Sequence, residues 1–152
     1  MTTPEHIHAV ALALAVDLDG PLAGALLLGP SGAGKSELAL SLIEACPYRR
    51  SALVADDVVV LEAREGALFA RPRERMSGLI EMRGFGPVRL RALAEARLIA
   101  AFDIVEDAPR LPEPASRRFG GVEIPAWPFV LTAAAPARFR LAMRSILGGQ
   151  TP

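Results

Sequence analysis

The octapeptide "GPSGAGKS" at residues 29–36 constrains the fold of this chain more than any other stretch. It matches the pattern G-x-x-x-x-G-K-[S/T], and the apolar residues "ALLL" before it are typical of a buried strand. The following residues, "GKSELALSLIEA" (34–45), place Leu38 and Leu42 on one apolar stripe, which predicts an amphipathic helix. A strand, a glycine-rich loop and a helix in this order form a phosphate-binding loop. The chain is therefore predicted to bind a nucleoside triphosphate within an α/β fold.

Each residue type in this loop suits the binding of phosphate. Glycine lets backbone N–H groups curl around an anion, and the helix start adds the positive end of its dipole. Lys35 is the only lysine among 17 basic residues, and it is expected to reach the β- and γ-phosphates of a nucleoside triphosphate, while Ser36 offers its hydroxyl to Mg²⁺. The predicted nucleotide-binding residues are Gly29, Pro30, Ser31, Gly32, Ala33, Gly34, Lys35 and Ser36.

The rest of the sequence predicts a mostly buried central sheet and a C-terminal helix. Short apolar runs bounded by glycine and proline indicate strands at residues 8–16, 23–28, 52–60, 67–70, 79–83 and 98–105. Residues 136–147 predict a helix, because Phe139, Met143 and Ile146 share one face. Residues 106–121 contain three prolines and no periodicity, which predicts a flexible loop. We expect one α/β domain over residues 1–152.

Composition excludes several classes of protein. Hydrophobic residues make up 51% of the 152 positions, which excludes disorder throughout, and the net charge of zero lacks the basic excess of a nucleic-acid-binding protein. Cys46 is the single cysteine, which suits a reducing compartment. The N-terminal apolar run lacks a basic flank, and no stretch is long enough to span a bilayer. We expect a cytoplasmic protein with no nucleic-acid or membrane partner.

Two further stretches carry candidate functional residues. Asp56 and Asp57 follow the apolar run "SALVA", and adjacent strand residues face opposite sides of a sheet. One carboxylate is therefore expected to face the nucleotide, while the other supports it or meets the metal from a bend. In "LIEMRGFG", Glu81 and Arg83 share a strand face, where they either hold Mg²⁺ and a phosphoryl oxygen or form a surface ion pair. Residue patterns alone leave that choice open.

Taken in order, four stretches resemble the catalytic domain of HPr kinase/phosphorylase: "IHAVAL", "GPSGAGKSELAL", "LVADD" and "LIEMRGFG". The resemblance covers residues 6–105, and the "ADD" motif followed by a "LIEMRG" strand is its specific part. It implies a P-loop kinase fold and a protein-serine kinase. Such a kinase transfers the γ-phosphate of ATP to a serine of HPr, a phosphocarrier protein of the bacterial phosphotransferase system.

The resemblance also implies roles for individual residues. Asp57 resembles the base that takes the serine hydroxyl proton, and Asp56 assists that base or the metal. His8 resembles a histidine beside the catalytic acid, with His6 as the alternative one pleat away. The roles implied for the remaining candidates are phosphate contact for Lys35 and Arg83 and Mg²⁺ binding for Ser36 and Glu81.

The sequence departs from the family pattern in three places. It resembles a short form that lacks the family's N-terminal domain, which leaves the hexamer implied by the family uncertain. The stretch "PVRLRALAEARL" is shorter than the family's glycine-rich segment, and Arg97 is an inexact counterpart of the functional arginine in that segment. The stretch "IPAWPFV" lacks the basic loop associated with the reverse, phosphate-dependent reaction. We therefore expect weak or absent phosphorylase activity.

Two other functions are compatible with the phosphate loop. A small-molecule P-loop kinase would need a lid over its substrate, for which only residues 106–121 are available. A non-catalytic sensor would bind nucleotide and report to a partner protein, but such a protein has no need for Asp57. Transfer to a metabolite, or tight ATP binding without transfer, would distinguish these functions from a protein kinase.

Overall fold

The structure, a computed structural model, describes residues 3–74 and 78–149. Within these residues the chain forms eleven strands and two helices. The strands are β1 (Glu5–His8), β2 (Val10–Leu14), β3 (Ala23–Leu28), β4 (Ala52–Ala55), β5 (Val58–Arg64), β6 (Ala67–Pro72), β7 (Leu79–Met82), β8 (Gly86–Arg89), β9 (Ala96–Val105), β10 (Ala115–Phe119) and β11 (Val122–Val130). The helices are α1 (Lys35–Glu44) and α2 (Ala135–Leu147).

Nine of the strands form one mixed sheet, so the predicted α/β class is confirmed. Its main order is β1-β5-β6-β9-β3-β2-β4, and β11 pairs with the second half of β9, beyond the reach of β6. Strand β10 pairs with β11 at the outer edge, while β7 and β8 form a separate hairpin. Strands β3, β9 and β11 run parallel, so their carboxyl ends meet at one edge of the sheet.

Both faces of this sheet are covered by apolar side chains. Helices α1 and α2 pack on one face, where Phe102 of β9 meets Phe139 of α2 with ring centroids 4.5 Å apart. On the opposite face a second buried cluster includes Leu26, Val54 and Leu61. This burial on both sides explains the continuous apolar runs of the central strands. Neither described helix is long and apolar enough to cross a membrane.

A glycine allows the central strands to approach closely. A Cβ on Gly24, in β3, would overlap the backbone carbonyl of Arg97, in β9. Because glycine has no Cβ, the two strands can pair. The pairing runs from Gly24 opposite Leu98 to Leu28 opposite Asp103, with one irregularity after Gly24. The pairing places the end of β3, where the phosphate loop begins, beside the end of β9.

Two predicted strands are interrupted in the structure. The segment 8–16 divides at Ala9, because β1 pairs with β5 whereas β2 pairs with β3 and β4. The segment 52–60 divides at Asp56 and Asp57, which form the turn between β4 and β5. The expectation that these two residues alternate across a regular strand is therefore wrong, because both lie in a bend.

The predicted loop at residues 106–121 needs a similar correction. Its first part, 106–114, contains all three prolines and has no regular structure. Ala115–Phe119, however, forms β10, which pairs with β11 through a tight turn at Gly120 and Gly121. Both glycines have a positive φ, as hairpin turns require, and that turn chemistry was a signal for the missed strand.

Candidate functional site

The phosphate loop connects the carboxyl end of β3 to the first residue of α1. Gly34 caps this helix with φ of +102°, a conformation that L-residues rarely adopt. A Cβ on Gly34 would also collide with the side chain of Leu131, which follows β11. The backbone conformation therefore requires glycine here, and a larger residue would also displace the Leu131 side chain, a contact that no pattern in the sequence indicates.

Lys35 lies at the first turn of α1 and folds back over the loop. Its Nζ donates hydrogen bonds to the carbonyl oxygens of Gly29 and Pro30, at 2.6 and 2.9 Å. An ammonium group has three N–H donors, so one is left for an anion held by the loop. The start of α1 adds its own backbone N–H groups and the positive end of the helix dipole. These features make the loop an anion-binding site.

Asp56 connects the acidic turn to the phosphate loop. The hydroxyl of Ser36 donates a hydrogen bond to Oδ1 of Asp56 at 2.7 Å. Partial burial of Asp56 raises its pKa, and the negative charge of Asp57 raises it further, although the Ser36 hydrogen bond and the Lys35 charge oppose this. The Asp56 carboxylate therefore lies in an environment that favours gaining a cation or a proton.

Asp57 is held in a tight turn next to His8. The Val58 N–H bonds to the carbonyl of Asp56 at 3.0 Å, and Asp57 between them has φ of 75°, which is the geometry of a strained three-residue turn. The Asp57 carbonyl accepts a further bond from the N–H of Ala9 at 3.1 Å. Nδ1 of His8 lies 3.7 Å from Oδ1 of Asp57, and the side chains are 85% and 81% exposed. A group on another protein can therefore reach this pair.

One cleft brings the phosphate loop, the acidic turn and the "LIEMRG" segment together. Its volume is about 1200 Å³. The predicted site residues that line it are His8, Gly29, Pro30, Ser31, Gly32, Gly34, Lys35, Ser36, Asp56, Asp57, Glu81 and Arg83. Glu81 and Arg83 form no ion pair with each other among the described residues, so the open alternative of a surface ion pair is not observed.

Three candidates lie elsewhere. Ala33 belongs to the loop, but its methyl group packs toward the core beneath α1 rather than into the cleft. His6 lies on β1 outside the residues that line the cleft. Arg97 is the second residue of β9, level with the start of β3, whereas the phosphate loop follows the end of β3. With a rise of about 3.3 Å per strand residue, this separates Arg97 from the loop by roughly 15–20 Å.

The oxygen ligands of the cleft fit a magnesium ion. The Ser36 hydroxyl and the Asp56 carboxylate are adjacent, and Glu81 faces the same cleft. In the described part of the chain, no three His, Cys, Asp or Glu side chains cluster closely enough to bind a metal by themselves. Magnesium is usually bound by one or two carboxylates together with water and phosphate oxygens, which is the set that a nucleotide would complete here.

Comparison with known proteins identifies a family for this arrangement. The sequence model of the HPr serine kinase C-terminal domain matches residues 3–105. The HPr kinase/phosphorylase of Prosthecochloris aestuarii is 40% identical over 84 residues, which are 55% of this chain and 24% of that protein. The HPr kinase/phosphorylase of Leptothrix cholodnii is 46% identical over 71 residues, which are 46% of this chain and 21% of that protein. The chain thus spans about a quarter or less of the length of these relatives.

A solved structure resembles almost the whole chain. It is described as the structure of the Hpr(Ser) kinase/phosphatase from Coxiella burnetii, and it matches with a TM-score of 0.78. The match covers 95% of this chain and 92% of that chain at 22% sequence identity. At this level of identity the likeness establishes the fold, which extends past residue 105 to include β10, β11 and α2.

Proposed function

The chain belongs to the HPr serine kinase C-terminal domain family, and we propose that it is an ATP-dependent kinase that phosphorylates a serine of an HPr-type phosphocarrier protein. The observation that supports this best is the Asp57–His8 pair, which is exposed and borders the same cleft as the phosphate loop. A protein that only binds nucleotide has no use for an exposed carboxylate at this position. The proposal includes a cytoplasmic location and weak or absent phosphorylase activity.

The phosphate loop and Lys35 bind the triphosphate of ATP. Backbone N–H groups of residues 31–36 surround the β-phosphate, and the remaining Lys35 N–H points toward the β- and γ-phosphates. Arg83, which also lines the cleft, is the second cation in reach of the γ-phosphate. These groups hold the phosphorus atom where a serine hydroxyl can approach in line with the bond to ADP.

Asp57 accepts the proton that the reaction releases. The serine oxygen forms a bond to the γ-phosphorus while the bond to the β–γ bridging oxygen breaks, and ADP leaves with the electron pair. The serine proton passes to the Asp57 carboxylate, which the Ala9 and Val58 backbone contacts fix at the mouth of the cleft. His8 lies beside that carboxylate and orients it.

Ser36, Asp56 and Glu81 are the residues that would hold magnesium. When bound, the ion neutralises charge on the β- and γ-phosphates. Ser36 and Asp56 are already joined by a hydrogen bond, so one rotation of the hydroxyl proton presents two oxygen atoms to a cation. The raised pKa of Asp56 implies that binding a cation relieves an unfavourable charge.

A phosphotransfer assay tests the proposal. The protein is incubated with Mg·ATP and an HPr-type carrier, and intact mass reports the addition of one phosphate. Asp57→Asn removes the base, so we expect kcat to fall by about a hundredfold or more with little change in ATP affinity. Lys35→Ala should instead weaken ATP binding as well. Asp19→Asn, an exposed acid outside the cleft, is the matched control and should behave as wild type.

The outcomes separate the candidate functions. Serine phosphate that depends on both Asp57 and Lys35 supports the protein kinase. ATP consumption that requires a metabolite, with no transfer to the carrier, would favour the small-molecule kinase. ATP binding that depends on Lys35, without transfer to either, would leave only a nucleotide-binding protein.

A further inference from the structure

A second pocket lies beside α2, on the side of the sheet that carries the helices. Its volume is about 340 Å³, at the lower end of the range for small-molecule sites. Trp127 and Phe129 of β11 contribute its aromatic wall, and Trp127 stacks on Phe102 with ring centroids 5.9 Å apart. Helix α2 contributes Arg138 and Ala142, and the segment between β9 and β10 contributes Ala108, Pro109, Arg110 and Pro112. The pocket is therefore lined mainly by apolar and aromatic side chains, together with the guanidinium groups of Arg110 and Arg138.

This pocket is next to the phosphate loop, although it shares no lining residue with the cleft. Val130 lines the pocket, and the next residue, Leu131, abuts Gly34 of the loop. On the same edge of the sheet, the backbone of Ile104 in β9 lies against Gly29. The pocket lining is thus one residue along the chain from a side chain that packs against the phosphate loop.

The sheet order fixes which end of a nucleotide would lie here. The acidic turn that follows β4 is on one side of β3, whereas β9 and β11 are on the other side. A triphosphate that directs its terminal phosphate toward Asp56 and Asp57 must direct its other end toward β9 and β11. Ligands of parallel sheets bind in the crevice at the carboxyl ends of the strands, where this pocket opens.

We propose that this pocket, the base pocket, receives the aromatic base of the nucleotide whose phosphates bind at residues 29–36. The inference rests on the proposed function only in requiring a nucleoside triphosphate. Stacking on aromatic rings and on guanidinium groups is the usual recognition of a base by its π-face. Arg138 lies over the Phe129 ring at 5.6 Å and is placed to cover one face of the base.

Trp127 provides a direct test because it is the only tryptophan in the chain. Tryptophan emission is recorded while the protein is titrated with Mg·ATP or with magnesium tripolyphosphate, which has phosphates but no base. We expect Lys35→Ala to weaken the binding of both ligands. Only ATP should change the Trp127 emission, because only ATP carries a group that enters the base pocket.

A pair of matched variants tests the same point by affinity. Ala142→Leu fills the base pocket from α2, so we expect the Kd for ATP to rise about tenfold and the Kd for tripolyphosphate to stay unchanged. Ala137→Leu places the same side chain on the exposed face of the same helix and should alter neither constant. Thermal melting shows whether each variant is folded, and the wild-type fluorescence does not depend on any variant.

Each result decides for or against the base pocket. Equal effects of ATP and tripolyphosphate on Trp127, or an unchanged ATP affinity in a folded Ala142→Leu, would overturn it. Failure of both ligands to bind would remove its premise and overturn it as well. If ATP alters the Trp127 emission but no phosphate reaches the carrier, the base pocket stands and the kinase proposal fails. If phosphate reaches the carrier but ATP does not alter the Trp127 emission, the kinase proposal stands and the base pocket fails.

Discussion

Asp56 and Asp57 are neighbours in the chain, but their carboxylates lie in different environments. Asp56 is partly buried and accepts a hydrogen bond from Ser36, whereas Asp57 is exposed beside His8. Burial disfavours the charged form of Asp56 and raises its pKa above the ordinary value of 3.8. The folded chain therefore binds a proton at Asp56 more readily than the unfolded chain does. Stability contributed at this residue is highest at low pH and declines as pH rises from 3.8 through the raised pKa.

The decline of this stability with rising pH gives a prediction for Asp56→Asn. The amide keeps an oxygen that accepts the Ser36 hydroxyl proton but removes the buried charge. We expect the variant to melt at a higher temperature than wild type at neutral pH, with a difference that shrinks as pH falls toward 3.8. Thermal melts of both proteins between pH 4 and pH 8, without nucleotide, measure it. A difference that is constant with pH, or of the opposite sign, would contradict the prediction.

Among the elements, the turn between β4 and β5 shows how backbone strain is placed beside the candidate site. Asp57 occupies a left-handed conformation that costs most L-residues about 1–2 kcal/mol. Four strands meet at this turn, because Asp57 lies between β4 and β5 and its carbonyl accepts a hydrogen bond from the N–H of Ala9, which lies between β1 and β2. The sheet thus holds a carboxylate at a position that the isolated turn would avoid.

Two substitutions at one position should reveal this strain. Asp57→Ala and Asp57→Gly both remove the carboxylate, but only glycine adopts the left-handed conformation without a steric cost. We expect Asp57→Gly to be more stable by about 1 kcal/mol, a Tm about 2–4 °C higher in a chain of this size. Glu65, with φ of 52° between β5 and β6, is the control, since its Ala and Gly variants should differ similarly with no effect on transfer. Equal melting of the Asp57 pair, with separation of the Glu65 pair, would show that the turn is unstrained.

The same elements show what a sequence can predict and where it fails. Strand β3 was predicted with correct bounds, and the loop and helix after it were predicted in the correct order, because the apolar run and the glycine spacing are local signals. Strand β11 was missed because Pro125 and Pro128 argue against a strand. Its first half pairs only with β10 and its second half only with β9, so each proline has an unpaired side where a missing N–H breaks no ladder.

The contact between His8 and Asp57 illustrates the limit for the candidate site. Family resemblance suggested it, but no spacing rule does, because it arises from the pairing of His8 with Val58 fifty positions along the chain. The register in which β1 pairs with β5 is set by the packing of the whole sheet. Glu81 and Arg83 were likewise placed in the cleft by the packing of the β7–β8 hairpin, whereas residue patterns left their role undecided.

At the scale of the whole molecule, one edge of the sheet carries both candidate ligand sites. The acidic turn lies toward β4 and the base pocket toward β11, with the phosphate loop between them. The segment "IPAWPFV", which stands where the family's basic loop was expected, forms part of β11 within the sheet. Lys35 and Arg83 are the cations among the described residues that line the cleft.

This distribution of charge predicts that the reverse reaction with inorganic phosphate is slow. In that reaction a phosphate oxygen attacks the phosphoserine phosphorus, the serine oxygen leaves and takes a proton from Asp57, and pyrophosphate forms. Two separate anions must then approach each other beside two cations, whereas ATP arrives with its phosphates already joined. We expect phosphate-dependent loss of the phosphoryl group to be at least about tenfold slower than the forward transfer.

Intact mass of the phosphorylated carrier measures this rate directly, with inorganic phosphate in one reaction and Mg·ADP in a second. The ADP reaction is the matched control, because it reverses the forward step at the same loop without needing a free phosphate. Slow loss with phosphate together with ready loss with ADP would support the assignment. Loss with phosphate at the forward rate would contradict it, because two cleft cations would then suffice to bring the anions together.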